Sequence, residues 1–174
     1  MFVRGVSNVT SIERIEDKVA DTALGIVYPE LRTKDDTLSI WYIKDKQDFV
    51  DAALNIILPR DRIAAASFVL LETAMLDEND LTYIQKDPDR IVLSDSKAKH
   101  YDITGVTVGK IESILKAYKA VYQHELEQDS ETYIITWGVE ESRESIIQAV
   151  RDGRVKCEML QPKMQEKIQR LMNA

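Results

Sequence analysis

Two hydrophobic periods alternate along this chain, and together they restrict it to folds that pack helices on a sheet. Short runs rich in β-branched and aromatic residues stand at 38–43 (LSIWYI) and 132–137 (TYIITW), the composition of a pleated, half-buried surface. Around them lie longer stretches whose apolar residues recur at helical spacing. Each pattern needs the other to bury its apolar side.

The longest helix spans 107–126. Thr107 caps it, Val108, Ile111, Leu115, Tyr118 and Tyr122 share one face, and Glu112 and Lys116 form an i,i+4 pair on the other. Further helices are expected at about 11–24, where Thr10 and Glu13 have capping-box spacing, and at 48–58, capped by Asp48 and stopped by Pro59. Two more follow: 140–152, entered through Gly138 and ended near Gly153, and 162–172, opening on Pro162. Residues 61–76 fit a helix in which Ile63, Ala66, Leu70, Ala74 and Met75 line up. A buried strand at Ser67–Leu71 is the alternative; the alanine run and the length favour the helix. Leu81–Gln85 and Arg90–Leu93 flank Lys86-Asp87-Pro88-Asp89, a turn tetrad, and predict a hairpin.

The expected fold is α+β: four or five strands in a mixed or antiparallel sheet, with about five helices. A chain of 174 residues suits one domain over 1–174. Its C-terminal part, about 155–174, reads as a helical extension. Cys157 is the one cysteine and can form no internal disulfide. The N-terminal segment has no apolar run of signal-peptide length, and no stretch approaches the length of a membrane span. The expected location is therefore cytoplasmic, with no membrane partner.

Chemistry-bearing motifs are scarce. Six glycines and two histidines in 174 residues leave little for sites where backbone must approach a phosphate or a cofactor. Gly105-Val106-Thr107-Val108-Gly109-Lys110 has three residues between its glycines, and Ile111 after the lysine. A phosphate-binding loop needs four, followed by Ser or Thr. A calcium loop starting at Asp77 would need Gly and Glu where Thr82 and Pro88 stand. Ser142 lacks the flanking glycines of a nucleophile elbow. His100, His124 and Cys157 do not assemble into a zinc-ligand pattern. No cofactor and no metal is expected.

One carboxylate set is conceivable. Asp95 and Lys97, with Asp80 brought close by the hairpin, could gather a cation and a water as metal-dependent nucleases do. Asp89 is a poorer partner, since only five residues separate it from Asp95 with no return strand between them.

Other residues suit contact with a protein. Trp41 and Tyr42 should point to opposite faces of their strand; core packing is the commoner fate of such aromatics, and Trp41 or Trp137 as an exposed anchor is the alternative. Glu125, Glu127 and Asp129 belong to an acidic stretch without a basic residue, while Arg151, Arg154 and Lys156 begin a basic tail. The net charge of −7 tilts the chain away from nucleic acid. These features point to a small non-catalytic protein-binding or regulatory protein, such as an acidic inhibitor or immunity-type protein. The alternatives are a metal-dependent hydrolase or nuclease on Asp80, Asp95 and Lys97, and a homo-oligomer joined through Met164, Ile168 and Met172 of the last helix.

Overall fold

A computed structural model describes residues 1–6, 37–88, 92–107, 110, 113–114, 116–117, 133–155 and 157–173, with backbone alone at 94–95. The described strands are β1 (Phe2–Val6), β2 (Leu38–Tyr42), β3 (Ala66–Leu71), β4 (Tyr83–Gln85), β5 (His100–Ile103) and β6 (Ile134–Trp137). They form one sheet in the order β4-β5-β2-β1-β3-β6. Every neighbouring pair is antiparallel. Four helices are described: α1 (Lys46–Ile57), α2 (Thr73–Glu78), α3 (Val139–Arg151) and α4 (Pro162–Met172). The fold is thus α+β as expected, with six strands where four or five were predicted.

Side-chain alternation divides the sheet between two cores. Val3, Trp41, Ala66, Phe68 and Trp137 face α1, α3 and α4, where they meet Phe49, Leu54, Ile146, Met164 and Ile168. Phe49, Phe68 and Trp137 pack edge to face there, with centroids 5.4–5.8 Å apart, the arrangement aromatic quadrupoles prefer. Phe2, Leu38, Ile40, Val69 and Leu71 point the other way, against Met75, Leu76, Ile114, Ala117 and Tyr133. Trp41 and Tyr42 do take opposite faces. Of the stripe offered as an oligomer contact, Met164 and Ile168 of α4 are buried in the first core, while Met172 is 37% exposed.

Four readings of the sequence are corrected. The segment 61–76 holds strand β3, and α2 starts only at Thr73. β3 lies between β1 and β6, with Phe68 in the first core and Val69 and Leu71 in the second, so both its faces are covered and its apolar run loses the alternation that marks a strand. β1 was not anticipated, because Arg4 and Gly5 interrupt a short apolar run. β4 pairs with β5, Tyr83 opposite Ile103 and Gln85 opposite Tyr101, where the expected partner was 90–93. Of the latter, Leu93 forms an isolated bridge to Val155. Finally, the α1 cap is Asp45, whose carboxylate accepts the Asp48 N–H at 2.9 Å.

Elsewhere the local signals held. Gly138 is the cap of α3, Gly153 follows its end at φ +68°, and Pro162 opens α4. Residues 110, 113–114 and 116–117 are helical, within the helix expected at 107–126. The helix at 11–24 lies outside the described residues. No helix among the described residues is long and apolar enough to cross a membrane.

Candidate functional site

The polar side chains of the first face gather where β2, β5 and β4 adjoin. His100 and Asp102 are two apart on β5 and share that face; opposite them on β2 stand Trp41 and Ser39. Both titratable groups are buried. The His100 Nδ1 lies 2.7 Å from the Lys86 carbonyl oxygen. A carbonyl can only accept, so Nδ1 carries the proton and donates. Trp41 packs edge-on to the imidazole at 4.8 Å.

The Asp102 carboxylate accepts the Ser39 hydroxyl at 3.1 Å and meets the Lys86 ammonium at 3.1 Å. The His100 Nε2 stands 3.7 Å from it, beyond hydrogen-bond length. The order of these groups matters chemically. A nucleophilic triad places the imidazole between hydroxyl and carboxylate, so that it can take the hydroxyl proton. Here the carboxylate sits between Ser39 and His100, so the group beside the Ser39 hydroxyl is a lysine-paired carboxylate and not the imidazole. The cluster satisfies a buried charge.

A second pair lies nearby. Asp48, on the first turn of α1, accepts the Lys44 N–H at 3.0 Å and a short hydrogen bond from the Lys99 ammonium. That bond from Lys99 holds the Asp48 carboxyl below its ordinary range against the opposing effect of burial. The same bond raises Lys99. A carboxylate with a depressed folded pKa contributes stability above its unfolded value, about 3.9, and loses it as pH falls through the folded one. Lys99, raised, contributes below the ordinary lysine value and loses its share only above about pH 10. Asp48→Asn is therefore expected to destabilise the protein at neutral pH, and the gap from wild type should close as pH drops below about 4. Urea unfolding at a series of pH values measures it; a gap constant with pH would contradict the pairing.

The candidate carboxylate trio is not brought together. Asp80 follows α2 at φ +54°, beyond the end of the ladder where Tyr83 meets Ile103. Its carbonyl accepts the Lys110 ammonium at 2.8 Å. Asp95 and Lys97 lie in the 3₁₀ turn Ser94–Lys99, which enters β5 at the opposite end. Lys97 pairs with Asp87 at 2.5 Å. The expected proximity of Asp80 and Asp95 required β4 to pair with 90–93, and β5 takes that place. Among the described residues no three His, Cys, Asp or Glu side chains gather as metal ligands would. An open groove of about 570 Å³ beside Asp80 is lined by Asp77, Leu81, Thr82, Tyr83 and Lys110. Burial, and then the Asp77 charge and its hydrogen bond, push the Tyr83 phenol up.

The interface candidates divide. Trp41 and Trp137 are core residues, 5% and 4% exposed, so neither is a surface anchor. Arg154 is bound to Asp51 at 2.5 Å and lies 3.6 Å from Asp152. Arg151 is exposed at the end of α3. Glu125, Glu127, Asp129 and Lys156 lie outside the described residues.

The edge strand β4 escaped the sequence reading as a contact surface. The Thr104 N–H donates to the Thr82 carbonyl at 2.8 Å, and the Lys86 N–H to the His100 carbonyl at 3.2 Å. Antiparallel pairs alternate between bonded and non-bonded positions. The backbone groups of Tyr83 and Gln85 therefore point away from β5, out of the sheet edge. Ile84 between them is 49% exposed, among the most exposed large apolar side chains described. No sequence signal distinguishes it, because an edge is defined by the strands that are not beside it. In comparisons by sequence and by structure, no family model, curated protein or solved structure matches this chain.

Proposed function

We propose that this chain is a small non-catalytic binding or regulatory protein that acts by contact with another protein chain. The observation that carries the reading is the β4 edge, with its outward backbone groups at Tyr83 and Gln85 and its exposed Ile84. Such an edge can accept an added strand, the main chain supplying affinity and alternate side chains supplying selectivity. The charged groups support the same reading. Asp48, Asp51, Asp102 and Asp87 are each bound to a lysine or arginine of the chain itself.

The test is affinity capture from native lysate with three baits: wild type, Ile84→Lys, and Met159→Lys as a control on another exposed apolar residue. Retention of a protein by wild type and Met159→Lys, with loss by Ile84→Lys, is the expected result. Wild type retaining nothing, or the same protein retained by all three, would overturn the reading.

A further inference from the structure

Resting on that reading of the edge, we propose that the chain occupying β4 is a second copy of this protein, paired antiparallel about a two-fold axis through Ile84. The hydrogen-bonding pattern is self-complementary. The outward positions are Tyr83 and Gln85, one on each side of Ile84. When two such strands meet antiparallel with Ile84 opposite Ile84, Tyr83 of each stands opposite Gln85 of the other. Both of those pairs are then hydrogen-bonded pairs, each exchanging its N–H and C=O bonds. Ile84 falls at the non-bonded position, where the Cα atoms approach to about 4.5 Å and side chains lie closest. Two half-exposed isoleucines thus cover each other on the axis.

The charges flanking the strand agree with the same direction. Asp77 and Asp80 are exposed at the end of the ladder before Tyr83, with the Lys110 ammonium on the Asp80 carbonyl. Lys86 and Lys97, with side chains 45% and 58% exposed, lie at the end after Gln85, Lys86 paired to Asp102 and Lys97 to Asp87 of the same chain. Antiparallel pairing sets the acidic end of each strand toward the lysine-bearing end of the other, whereas parallel pairing would set like ends together. At the opposite edge of the sheet, Ile134 of β6 already has an interaction of its own. The dimer joins two copies of the sheet across a short strand, so the contact is small and the association weak and concentration-dependent.

Two measurements on the purified chain test this. Sedimentation velocity from about 1 μM to about 1 mM should show a monomer–dimer equilibrium in wild type. Ile84→Lys, which places two lysines face to face on the axis, should raise the dimer Kd at least about tenfold with an unchanged Tm. In a Cys157→Ser background, Ile84→Cys should form a disulfide-linked dimer under mild oxidation, since a non-bonded antiparallel pair has the Cα separation a disulfide needs. Gln85→Cys, which faces Tyr83 of the other copy, should cross-link far more slowly. A monomer at every concentration, a dimer untouched by Ile84→Lys, or equal cross-linking at both positions would overturn the proposal. If Ile84→Lys lowers Tm, the cross-linking pattern decides. A strictly monomeric chain that still loses a captured protein on Ile84→Lys defeats self-pairing alone; a chain with neither dimer nor captured protein defeats the reading of the edge as well.

Discussion

Asn55→Leu should cost the protein about 2–6 kcal/mol of unfolding free energy, although the new side chain has nearly the same shape. Asn55 lies on α1 and is 4% exposed. Its Oδ1 accepts the N–H groups of both Val92 and Leu93, at 3.1 and 3.2 Å. Its Nδ2 donates to the Asp51 carbonyl at 3.1 Å. One amide thus pins a chain segment 37 residues away in sequence onto the helix. Val92 and Leu93 are themselves buried in the first core, where no water replaces a lost partner. Leucine leaves two buried donors unpaired, and each costs about 1–3 kcal/mol. Against a total stability of about 5–15 kcal/mol, the loss is large. Chemical denaturation gives the magnitude, and amide exchange gives the site: Val92 and Leu93 should lose protection more than the α1 amides. Unchanged protection at those two amides would contradict the assignment.

Gly5→Ala is the second large effect, and its cause is volume. Gly5 lies within β1 on the face covered by α1. A Cβ there would stand 2.5 Å from Cγ2 of Ile56, a distance no real pair of carbons holds. Ile56 cannot simply turn aside, because a β-branched residue in a helix has one strongly preferred χ1. Helix or strand must shift, and overpacking of this kind costs about 1–3 kcal/mol. That exceeds the roughly 0.5–1 kcal/mol that replacing glycine in a strand would otherwise return. The contact predicts its own rescue. Ile56→Ala removes the offending methyl, so the double variant should be more stable than the sum of the two single changes by about 1–2 kcal/mol. Strict additivity would place the cause elsewhere.

These two residues show why the sequence reading stopped where it did. Gly5 and Asn55 carry no local pattern; a glycine in a short apolar run and a polar residue on a helix are each common. Their importance comes from Ile56 and from Val92 and Leu93, which only the packing of α1 on the sheet brings to them. The same holds for the candidate site. His100 and Asp102 were visible as neighbours of Tyr101, but 100–103 was not recognised as a strand, so their shared face went unseen. Asp80 and Asp95 were joined on the assumption that consecutive apolar runs pair. β4 takes β5 as its partner, which leaves the two aspartates at opposite ends of the ladder. For the tryptophans the sequence favoured the core over an exposed anchor, and the aromatic cluster with Phe49 and Phe68 places Trp137 inside.

The sequence by itself determined the class of fold and the local punctuation: strands at β2 and β6, helices at α1, α3 and α4, and the parts played by Gly138, Gly153 and Pro162. Those features rest on backbone preferences and on periodicity within a dozen residues, which a linear string records directly. The tertiary structure decided that β1 is a strand flanked by β2 and β3, that 66–71 is a strand rather than a helix, and that β4 is left at an edge with Ile84 exposed. Each of those outcomes depends on which distant segment supplies the neighbouring hydrogen bonds and covers the apolar face. That choice is made by burial summed over the whole sheet, and no single stretch of the chain contains it.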